Sequence, residues 1–381
     1  MNFKKDKTIS RRKFLKKSVF SAASTFGLPY LLPGVLKGNS APSNRINIGC
    51  IGVGRMGRGD LKDIIQYDDV QIVAVCDVDS WRLNNAKQQV EDYYLSRQKS
   101  GRYTGCMIYN DYRDLLLRDD IDAVMVATPD HWHVLPALQA AKSGKDIFIQ
   151  KPLTLTIPEG RMLSDMVHRY GCILQVGSQQ RSDFRFRHAA ELVRNGYIGQ
   201  LKKVKVGFGK DPFTGTHPVT PVPEELDYDL WLGPAAYVPY IEYRVHKPQS
   251  YNRPGWLRTS DYCCGMITGW GSHHIDSAHW GMDTEYTGPI EIEGWAEYSK
   301  EGVWDVHGAF RIEYKYANGV TLFCADNTVN KQGVVFEGTE GWIYVKRGFI
   351  DAHPKSLVNK VIQPNEIRLY KSTNHKRNFI D

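Results

Sequence analysis

The sequence predicts an α/β protein: a doubly wound parallel sheet in the N-terminal half, followed by an α+β domain with an open, largely antiparallel or mixed sheet. In the first half, β-branched apolar runs of strand length alternate with amphipathic segments, a pattern typical of parallel strands covered by helices on both faces. Beyond Ile290, short alternating runs recur with turn residues between them, which indicates antiparallel strands. A chain of 381 residues is long enough for two such domains.

The first domain is predicted at residues 43–180. Its strands are rich in Ile and Val, as expected for strands that are buried on both faces, and the segments between them have helical periodicity. The predicted strands are Ile46–Ile51, Val70–Cys76, 121–127, Asp146–Ile149 and 172–176, and the predicted helices are 57–66, 80–96, 133–143 and 158–170.

The second domain is predicted at residues 181–381. Residues 211–260 are rich in Pro, Tyr and Trp and have few periodic runs, so we expect a long structured excursion there. The Asn318-Gly319 pair is typical of a hairpin turn. The predicted strands are 290–298, 309–316, 320–324, 334–337 and 342–345.

Residues 1–42 have the order of a twin-arginine export signal. Arg11 and Arg12 precede Lys13-Phe14-Leu15-Lys16 and a small, apolar stretch that Pro29 and Pro33 interrupt. Since a spanning helix needs about 20 apolar residues in succession, a cleaved signal fits better than a membrane anchor. We therefore expect export to the periplasm as a soluble protein, the alternative being an ordinary basic N-terminus.

Charge and cysteine usage exclude several classes of function. Residues 1–40 hold nine Lys or Arg against Asp6 alone, a net of +8, so the +7 of the whole chain leaves −1 for the remainder. A nucleic-acid partner is not expected, because such proteins present a basic face. The seven cysteines have no metal-ligand spacing, their odd number argues against a disulfide framework, and we expect no metal. Cys50 and Cys76 are expected to be buried in strands.

A dinucleotide fingerprint follows the first predicted strand. Gly52 permits a tight turn, Gly54 lets the backbone approach a pyrophosphate, and Gly57 allows close packing of helix and strand, as in a Rossmann domain. Asp77 ends the next strand, where a carboxylate accepts the ribose hydroxyls and disfavours a 2′-phosphate, so NAD is expected despite the nearby Arg82. The cofactor contacts predicted here are Gly52, Gly54, Arg55, Met56, Gly57 and Asp77.

Two further strand ends are expected to meet the cofactor. Ligands of parallel sheets bind at the carboxyl ends of strands, and the third long strand is followed by Thr128-Pro129. The next strand ends in Gln150-Lys151-Pro152, where Lys151 is placed to hydrogen-bond a substrate hydroxyl. The additional predicted cofactor contacts are Thr128, Pro129, His131, His133, Gln150, Lys151 and Gln179.

Together these motifs resemble the glucose–fructose oxidoreductase / inositol dehydrogenase / MocA family over essentially the whole chain after the export segment. Lys151 matches the Lys of the family's Glu-Lys-Pro motif, with Gln150 in place of Glu. His273 matches the catalytic His of an Asp-x-Gly-x-His-x-x-Asp pattern, in which Asp276 is retained but Gly269 replaces the first Asp. The resemblance implies Lys151 and His273 as catalytic residues and puts the family's usual proton relay in doubt.

The resemblance also implies the chemistry. A sugar hydroxyl loses its proton to His273 with the help of Lys151, while a hydride moves to the nicotinamide. Aromatic and charged side chains of the excursion and of the neighbouring segments are expected to bind the sugar, although Trp256 could equally be a core anchor. The predicted substrate contacts are Arg181, Tyr251, Arg253, Trp256, His274 and Asp276.

Three functions remain open from the sequence. The leading one is an exported oxidoreductase with tightly bound NAD that oxidises a sugar or glycoside hydroxyl to a ketone and recycles its cofactor, since no free nicotinamide pool exists outside the cytoplasm. The alternative is an NAD-dependent glycosidase that acts by transient oxidation, elimination, hydration and re-reduction. A third is a sugar-binding protein with structural NAD. Homo-oligomers are implied by the resemblance alone.

Overall fold

The computed structural model of the protein describes residues 45–96, 103 and 105–381. The predicted export segment at 1–42 lies outside the described residues. Within the described part, no helix combines the length and the apolar character that crossing a membrane requires.

The first domain is built on a parallel sheet of six strands in the order β3-β2-β1-β4-β5-β6. This confirms the predicted doubly wound sheet, and Cys50 and Cys76 are buried in it as expected. The sequence missed β3 because this strand has three residues, is largely exposed and lies at the sheet edge. The strands are β1 Ile46–Ile51, β2 Val70–Cys76, β3 Met107–Tyr109, β4 Ala123–Val126, β5 Asp146–Ile149 and β6 Leu174–Val176.

Four of the five helices between these strands begin and end within two residues of the predicted bounds, and the short helix Tyr112–Leu116 was not predicted. The clearest start is at Thr156, whose hydroxyl accepts from the backbone N–H of Glu159 while the Glu159 carboxylate accepts from that of Thr156. That helix stops at Gly171, which has the left-handed conformation common at helix ends. The helices are α1 Arg55–Ile64, α2 Ser80–Leu95, α3 Tyr112–Leu116, α4 Val134–Lys142 and α5 Ile157–Tyr170.

The second domain contains a mixed sheet of seven strands in the order β13-β12-β11-β7-β10-β9-β8. Strands β7 and β10 are parallel and the other neighbours are antiparallel, which confirms the mixed sheet. The strands are β7 Leu201–Phe208, β8 Glu291–Ala296, β9 Phe310–Lys315, β10 Thr321–Asp326, β11 Gly333–Gly338, β12 Trp342–Lys346 and β13 Phe349–His353; the helices are α6 Phe184–Arg194, α7 Tyr228–Leu232, α8 Gly265–Gly269, α9 Gly271–Met282 and α10 His375–Ile380.

The excursion between β7 and α8 is ordered around its own aromatic cluster. Tyr228, Trp231 and Tyr262 are buried in this cluster, and Val78 of the first domain packs against it. Backbone hydrogen bonds attach it to the loop after β2: the N–H of Asp227 donates to the carbonyl of Val78 at 2.9 Å. The excursion therefore covers the carboxyl edge of the first sheet.

The last helix, α10, packs against the first domain. Phe379 and Ile380 lie in the same hydrophobic cluster as Phe148 of β5. The ammonium of Lys376, which is 3% exposed, lies 2.8 Å from the buried carboxylate of Asp60 on α1. The chain thus returns to the first domain after completing the second sheet, although the predicted second domain runs to residue 381.

We predict that the turn between β1 and α1 tolerates no side chain at Gly57. A Cβ on Gly57 would overlap the carbonyl oxygen of Gly52, and backbone cannot move aside as a side chain tip can. We expect Gly57→Ala to lower the free energy of unfolding by about 3 kcal/mol, measured by denaturant unfolding of the protein free of nicotinamide.

The control is Gly59→Ala in the same helix. Its Cβ would meet nothing within 4 Å, so relief of glycine's conformational entropy should stabilise the protein by about 0.5–1 kcal/mol. Equal effects of the two substitutions would contradict the packing argument.

Candidate active site

The fingerprint turn leaves its backbone open toward the cleft. Gly52 has φ +80°, and a Cβ there would lie 2.7 Å from the backbone of Ala127 and Thr128. At Gly54 the nearest atom to a built Cβ is a side-chain nitrogen of Arg82, at 3.3 Å. No backbone crowds that position, and the first N–H groups of α1 face the same space. This geometry fits a dinucleotide pyrophosphate.

Asp77 is held at the carboxyl end of β2 by two backbone donors. Its Oδ2 accepts from the N–H of Val53 at 2.8 Å and its Oδ1 from that of Asp79 at 3.0 Å. Burial raises the pKa of Asp77, against the stabilising charge of Arg82 and these two bonds. Arg82 itself pairs with Asp79 at 3.5 Å and donates to the carbonyl of Ser250, so internal partners occupy part of its guanidinium. The carboxylate at 77 fits a ribose diol.

One cleft of about 450 Å³ joins the fingerprint to the second domain. Its walls include the ends of β1, β2, β4 and β5, the excursion, the segment around α8 and α9, and the hairpin between β12 and β13. The predicted residues that line it are Gly52, Gly54, Arg55, Met56, Asp77, Thr128, Pro129, His133, Gln150, Lys151, Gln179, Arg253, Trp256 and His273. These residues are brought together by the fold.

The two histidines of the loop after β4 have different surroundings. His133 spans the loop: its Nδ1 lies 2.6 Å from the carbonyl of Pro152 and its Nε2 lies 2.9 Å from that of Thr128. His131 does not line the cleft; it packs on Tyr262 and Trp231, and burial lowers its pKa to about 4. His133 therefore ties the β4 loop to the β5 loop, and His131 anchors the excursion.

The contacts of Gln150 explain why this position holds Gln in place of the Glu of the family motif. Its Nε2 donates to Asp60 Oδ2 at 2.6 Å, and Asp60 is already paired with Lys376. A glutamate at 150 would place a second buried carboxylate against Asp60, whereas the amide satisfies it. Gln150 positions the β5 end through this hydrogen-bonded chain.

Lys151 and His273 both face the reacting end of the cleft. The ammonium of Lys151 donates to the carbonyl of Gly269 at 3.1 Å, and burial lowers its pKa. His273, on the first turn of α9, is 4% exposed, and its Nδ1 has no hydrogen-bond partner among residues 45–96, 103 and 105–381. Burial, followed by the charges of Lys151 and Arg347, lowers the pKa of His273 to about 2, so the ring is neutral and an available acceptor.

Four predicted substrate contacts do not line the cleft: Tyr251, described below, and Arg181, His274 and Asp276. Arg181 forms a bidentate pair with Asp276 at 2.7 and 2.8 Å and a second pair with Glu285 at 2.6 Å. These groups border a separate surface groove. His274 is buried among aromatic rings beside Gln180. Their hydrogen bonds are internal, so they hold α9 in place.

Of the contacts predicted on the excursion, Arg253 and Trp256 line the cleft and Tyr251 does not. Tyr251 packs on Trp81 with ring centroids 5.1 Å apart and lies under the guanidinium of Arg58. This places Tyr251 beside α1 and α2, on the adenosine side. Arg253 lines the cleft with its guanidinium 3.8 Å from Asp211. Trp256 lines the cleft and also packs against the excursion's aromatic cluster.

Sequence reasoning missed two charged residues of the cleft. Asp130 lies between Pro129 and His131, both of which were predicted cofactor contacts, so its position in the β4 loop could have identified it as a residue of the site. Arg347 lies in the β12–β13 hairpin, with its guanidinium 4.8 Å from the Trp270 ring and 3.2 Å from Gln179 Oε1. Nothing local in the sequence marks Arg347, because only the folded sheet brings that hairpin to the cleft.

The described residues contain no group of three His, Cys, Asp or Glu side chains suited to a metal ion. The seven cysteines are free thiols in the structure.

Comparison with known proteins identifies the family. A model described as an oxidoreductase family with an NAD-binding Rossmann fold matches residues 46–178, and one described as the C-terminal alpha/beta domain of the oxidoreductase family matches residues 187–377. The chain belongs to the Gfo/Idh/MocA oxidoreductase family. Its first domain is the NAD-binding Rossmann fold of this family, and the predicted resemblance is confirmed.

Individual relatives match parts of the chain. A Glycosyl hydrolase family 109 protein of Shewanella pealeana is 34% identical over 208 residues, which are 51% of this chain and 44% of that protein. The uncharacterized oxidoreductase YrbE of Bacillus subtilis is 29% identical over 170 residues, 45% of this chain and 46% of that protein. The matched region therefore spans less than half the length of these curated relatives.

Solved structures share the fold at low identity. GenD2 from gentamicin A biosynthesis, in complex with NAD, has a TM-score of 0.59 at 17% identity and covers 93% of this chain and 89% of its own. The WlbA dehydrogenase from Bordetella pertussis, in complex with NADH and UDP-GlcNAcA, has a TM-score of 0.59 at 17% identity over 81% of this chain and 82% of its own.

We predict that Asp77→Ala lowers NAD affinity by about 10- to 100-fold, the loss expected when a charged hydrogen-bond acceptor is removed. Fluorescence titration of the stripped protein with NADH measures it. The control is Asp92→Ala on the exposed side of α2, which should bind as the unchanged protein does. Equal affinity of Asp77→Ala and the control would contradict the assignment of Asp77 to the ribose.

Proposed function

We propose that the protein is an exported oxidoreductase with tightly bound NAD that oxidises a hydroxyl of a sugar or glycoside to a ketone. The observation that carries this proposal is the meeting of Lys151 and His273 at the end of the cleft that begins at the dinucleotide fingerprint. The first provides a charged donor and the second a neutral acceptor in a buried site. Polar groups of this kind, next to Trp256 and Arg253, suit a polyhydroxylated substrate.

Bound NAD supplies the hydride acceptor for this chemistry. Lys151 donates a hydrogen bond to the substrate hydroxyl oxygen and stabilises the negative charge that develops there. The unpartnered Nδ1 of His273 orients the substrate by accepting from a neighbouring hydroxyl. Burial of both groups excludes water and strengthens these interactions.

Tight binding of the cofactor follows from the proposed location. Residues 1–42 resemble an export signal, and an exported enzyme has no free nicotinamide pool from which to exchange its cofactor. We infer that a second carbonyl compound returns the reduced cofactor to NAD without its release.

A redox-neutral glycosidase is the second candidate. It is favoured by the matches to Glycosyl hydrolase family 109 proteins, of which the first spans 51% of this chain. Transient oxidation two carbons away from the glycosidic carbon would acidify the C–H between them and permit elimination of the aglycone. Addition of water and re-reduction of the ketone would then restore the NAD. Both candidates use the same hydride step at Lys151 and His273.

We infer a homo-oligomer formed through the second sheet. Its edge strand β8 is largely exposed, and Ile292 and Trp295 on it are 62% and 58% exposed. A second copy of the sheet would cover these apolar side chains. Sedimentation of the purified protein measures its oligomeric state.

The two functions are separated by one assay on protein purified after export, with no NAD added. Bound nicotinamide is released by denaturation and quantified, and the NADH absorbance band is followed while glucosides, galactosides and free sugars are added. A stable band without aglycone identifies the oxidoreductase. Aglycone release with little net NADH identifies the glycosidase. Protein without nicotinamide that acts only after large NAD additions would overturn tight binding.

We predict that Lys151→Met slows NADH formation by about 10²- to 10⁴-fold, the usual contribution of a positioned acid or base. Bound nicotinamide should be retained, because the turn at Gly54 and the carboxylate of Asp77 are untouched. The matched control is Lys142→Met at the exposed end of α4, which should keep the full rate. A Lys151→Met variant as fast as this control would contradict the catalytic role.

A further inference from the structure

Asp130 is a buried carboxylate in the cleft with an unsatisfied oxygen. It lies on the short turn Asp130–Trp132 that follows the end of β4, is 4% exposed, and lines the cleft together with Lys151 and Cys263. Its Oδ2 makes no hydrogen bond with any residue in the described part of the chain. Since buried carboxylate oxygens are almost always hydrogen-bonded, this atom is an unused acceptor in a residue that lines the cleft.

Lys151 lines the same cleft and forms no ion pair with a carboxylate in the described part of the chain. Its ammonium donates to the backbone carbonyl of Gly269, which cannot take up a proton. Gly269 has no side chain to supply a carboxylate, and a Cβ built there meets nothing within 4 Å. An ammonium can accept a hydroxyl proton only after it has passed one of its own protons to another group.

We propose that Asp130 is the proton acceptor of Lys151 and supplies the carboxylate that position 269 lacks. This inference rests on the proposed function, since it assigns the hydroxyl proton of that reaction. Asp130 acts through Lys151 and is a positioning residue; Lys151 is the group that contacts the substrate.

The proton balance of the step is as follows. The substrate carbon loses a hydride to bound NAD⁺, and its hydroxyl O–H bond breaks as the C=O bond forms. The hydroxyl proton moves to Lys151 as the ammonium of Lys151 passes a proton to the Asp130 carboxylate through one bridging water, because Lys151 and Asp130 share the cleft without a direct hydrogen bond. Lys151 ends as an ammonium, Asp130 ends protonated, and no further oxidant or co-reactant is needed. Burial raises the pKa of Asp130 to about 7, against the stabilising Cys263 thiol and Lys151 charge, which suits a proton acceptor at neutral pH.

The titratable groups that face Asp130 come from two elements. Lys151 follows β5, and Cys263 and Cys264 precede α8. Arg253 and Arg347 face Lys151 in turn. Burial raises the pKa of both thiols, so they remain neutral at pH 7 and Asp130 is the group of this cluster that changes charge there.

Turnover tests the inference first. Single-turnover NADH formation at saturating donor sugar should fall off below pH 7 in the unchanged protein, because the carboxylate form of Asp130 is the active one. Asp130→Asn should be about 10²- to 10⁴-fold slower and should lose this acidic limb. The matched control is Asp146→Asn at the opposite end of β5, where an amide oxygen can still accept from the N–H of Ile173. An Asp130→Asn variant with the control's rate and an intact limb would overturn the inference.

A second variant distinguishes a lost acceptor from a damaged fold. Position 269 has room for a side chain, so Gly269→Asp in the Asp130→Asn background returns a carboxylate to the neighbourhood of Lys151. We expect this double variant to recover at least tenfold of the lost rate and to regain an acidic limb. A slow double variant, combined with an acidic limb that survives in Asp130→Asn, would show that Asp130 is only structural.

A titration that needs no substrate separates this inference from the proposed function. The infrared band of a protonated carboxyl group that is present in the unchanged protein and absent from Asp130→Asn is assigned to Asp130. The intensity of this band is measured as a function of pH, and the pH of half intensity is the titration midpoint of Asp130. Removing the ammonium in Lys151→Met should raise that midpoint by about 1–3 units. An unchanged midpoint would overturn the coupling of Asp130 to Lys151. The midpoint could shift in a protein that forms no NADH with any of the sugars tested. That result would support the coupling of Asp130 to Lys151 and refute the proposed function.

Discussion

The parallel alignment of the first sheet is the constraint on which the site depends. Because β1, β2, β4 and β5 run in the same direction, their carboxyl ends meet at one edge, and Gly52, Asp77, Thr128 and Lys151 share a cleft. Sheet hydrogen bonds and burial of both sheet faces fix these positions before any ligand binds. The contact of Gly57 with the Gly52 carbonyl then sets how close α1 comes to the same edge.

The second domain completes the cleft, and separate polar contacts connect it to the first domain. The excursion is bonded to the loop after β2, His133 ties the β4 loop to Pro152, and Lys376 reaches from the last helix to Asp60. Removing one partner of such a buried pair leaves an uncompensated charge, which is costly. These attachments hold the second domain against the first, while the pair of Arg181 with Asp276 holds α9.

The sequence predicted those parts of the fold whose signal is local. Long buried strands and capped helices have strong periodic patterns, so β1, β2 and β5 were placed residue for residue. The short edge strand β3 has no such pattern. Arg347 could not be found, because the β12–β13 hairpin reaches the cleft only through the tertiary fold. Conversely, Asp276 has the family spacing from His273, yet its carboxylate is engaged by Arg181.

The charges of the cleft impose a trade-off on its chemistry. Lys151, Arg253 and Arg347 stabilise negative charge that develops on a substrate oxygen, and such preorganised stabilisation is the larger part of many rate enhancements. Burial, followed by the charges of Lys151 and Arg347, lowers the pKa of His273 to about 2, so this ring accepts a hydrogen bond far better than it accepts a proton. Burial has the opposite effect on a carboxyl group, whose affinity for protons it raises. A cleft that favours the alkoxide by positive charge therefore needs a buried carboxylate to take the proton, and Asp130, which lines the same cleft as Lys151, is the group proposed for this role.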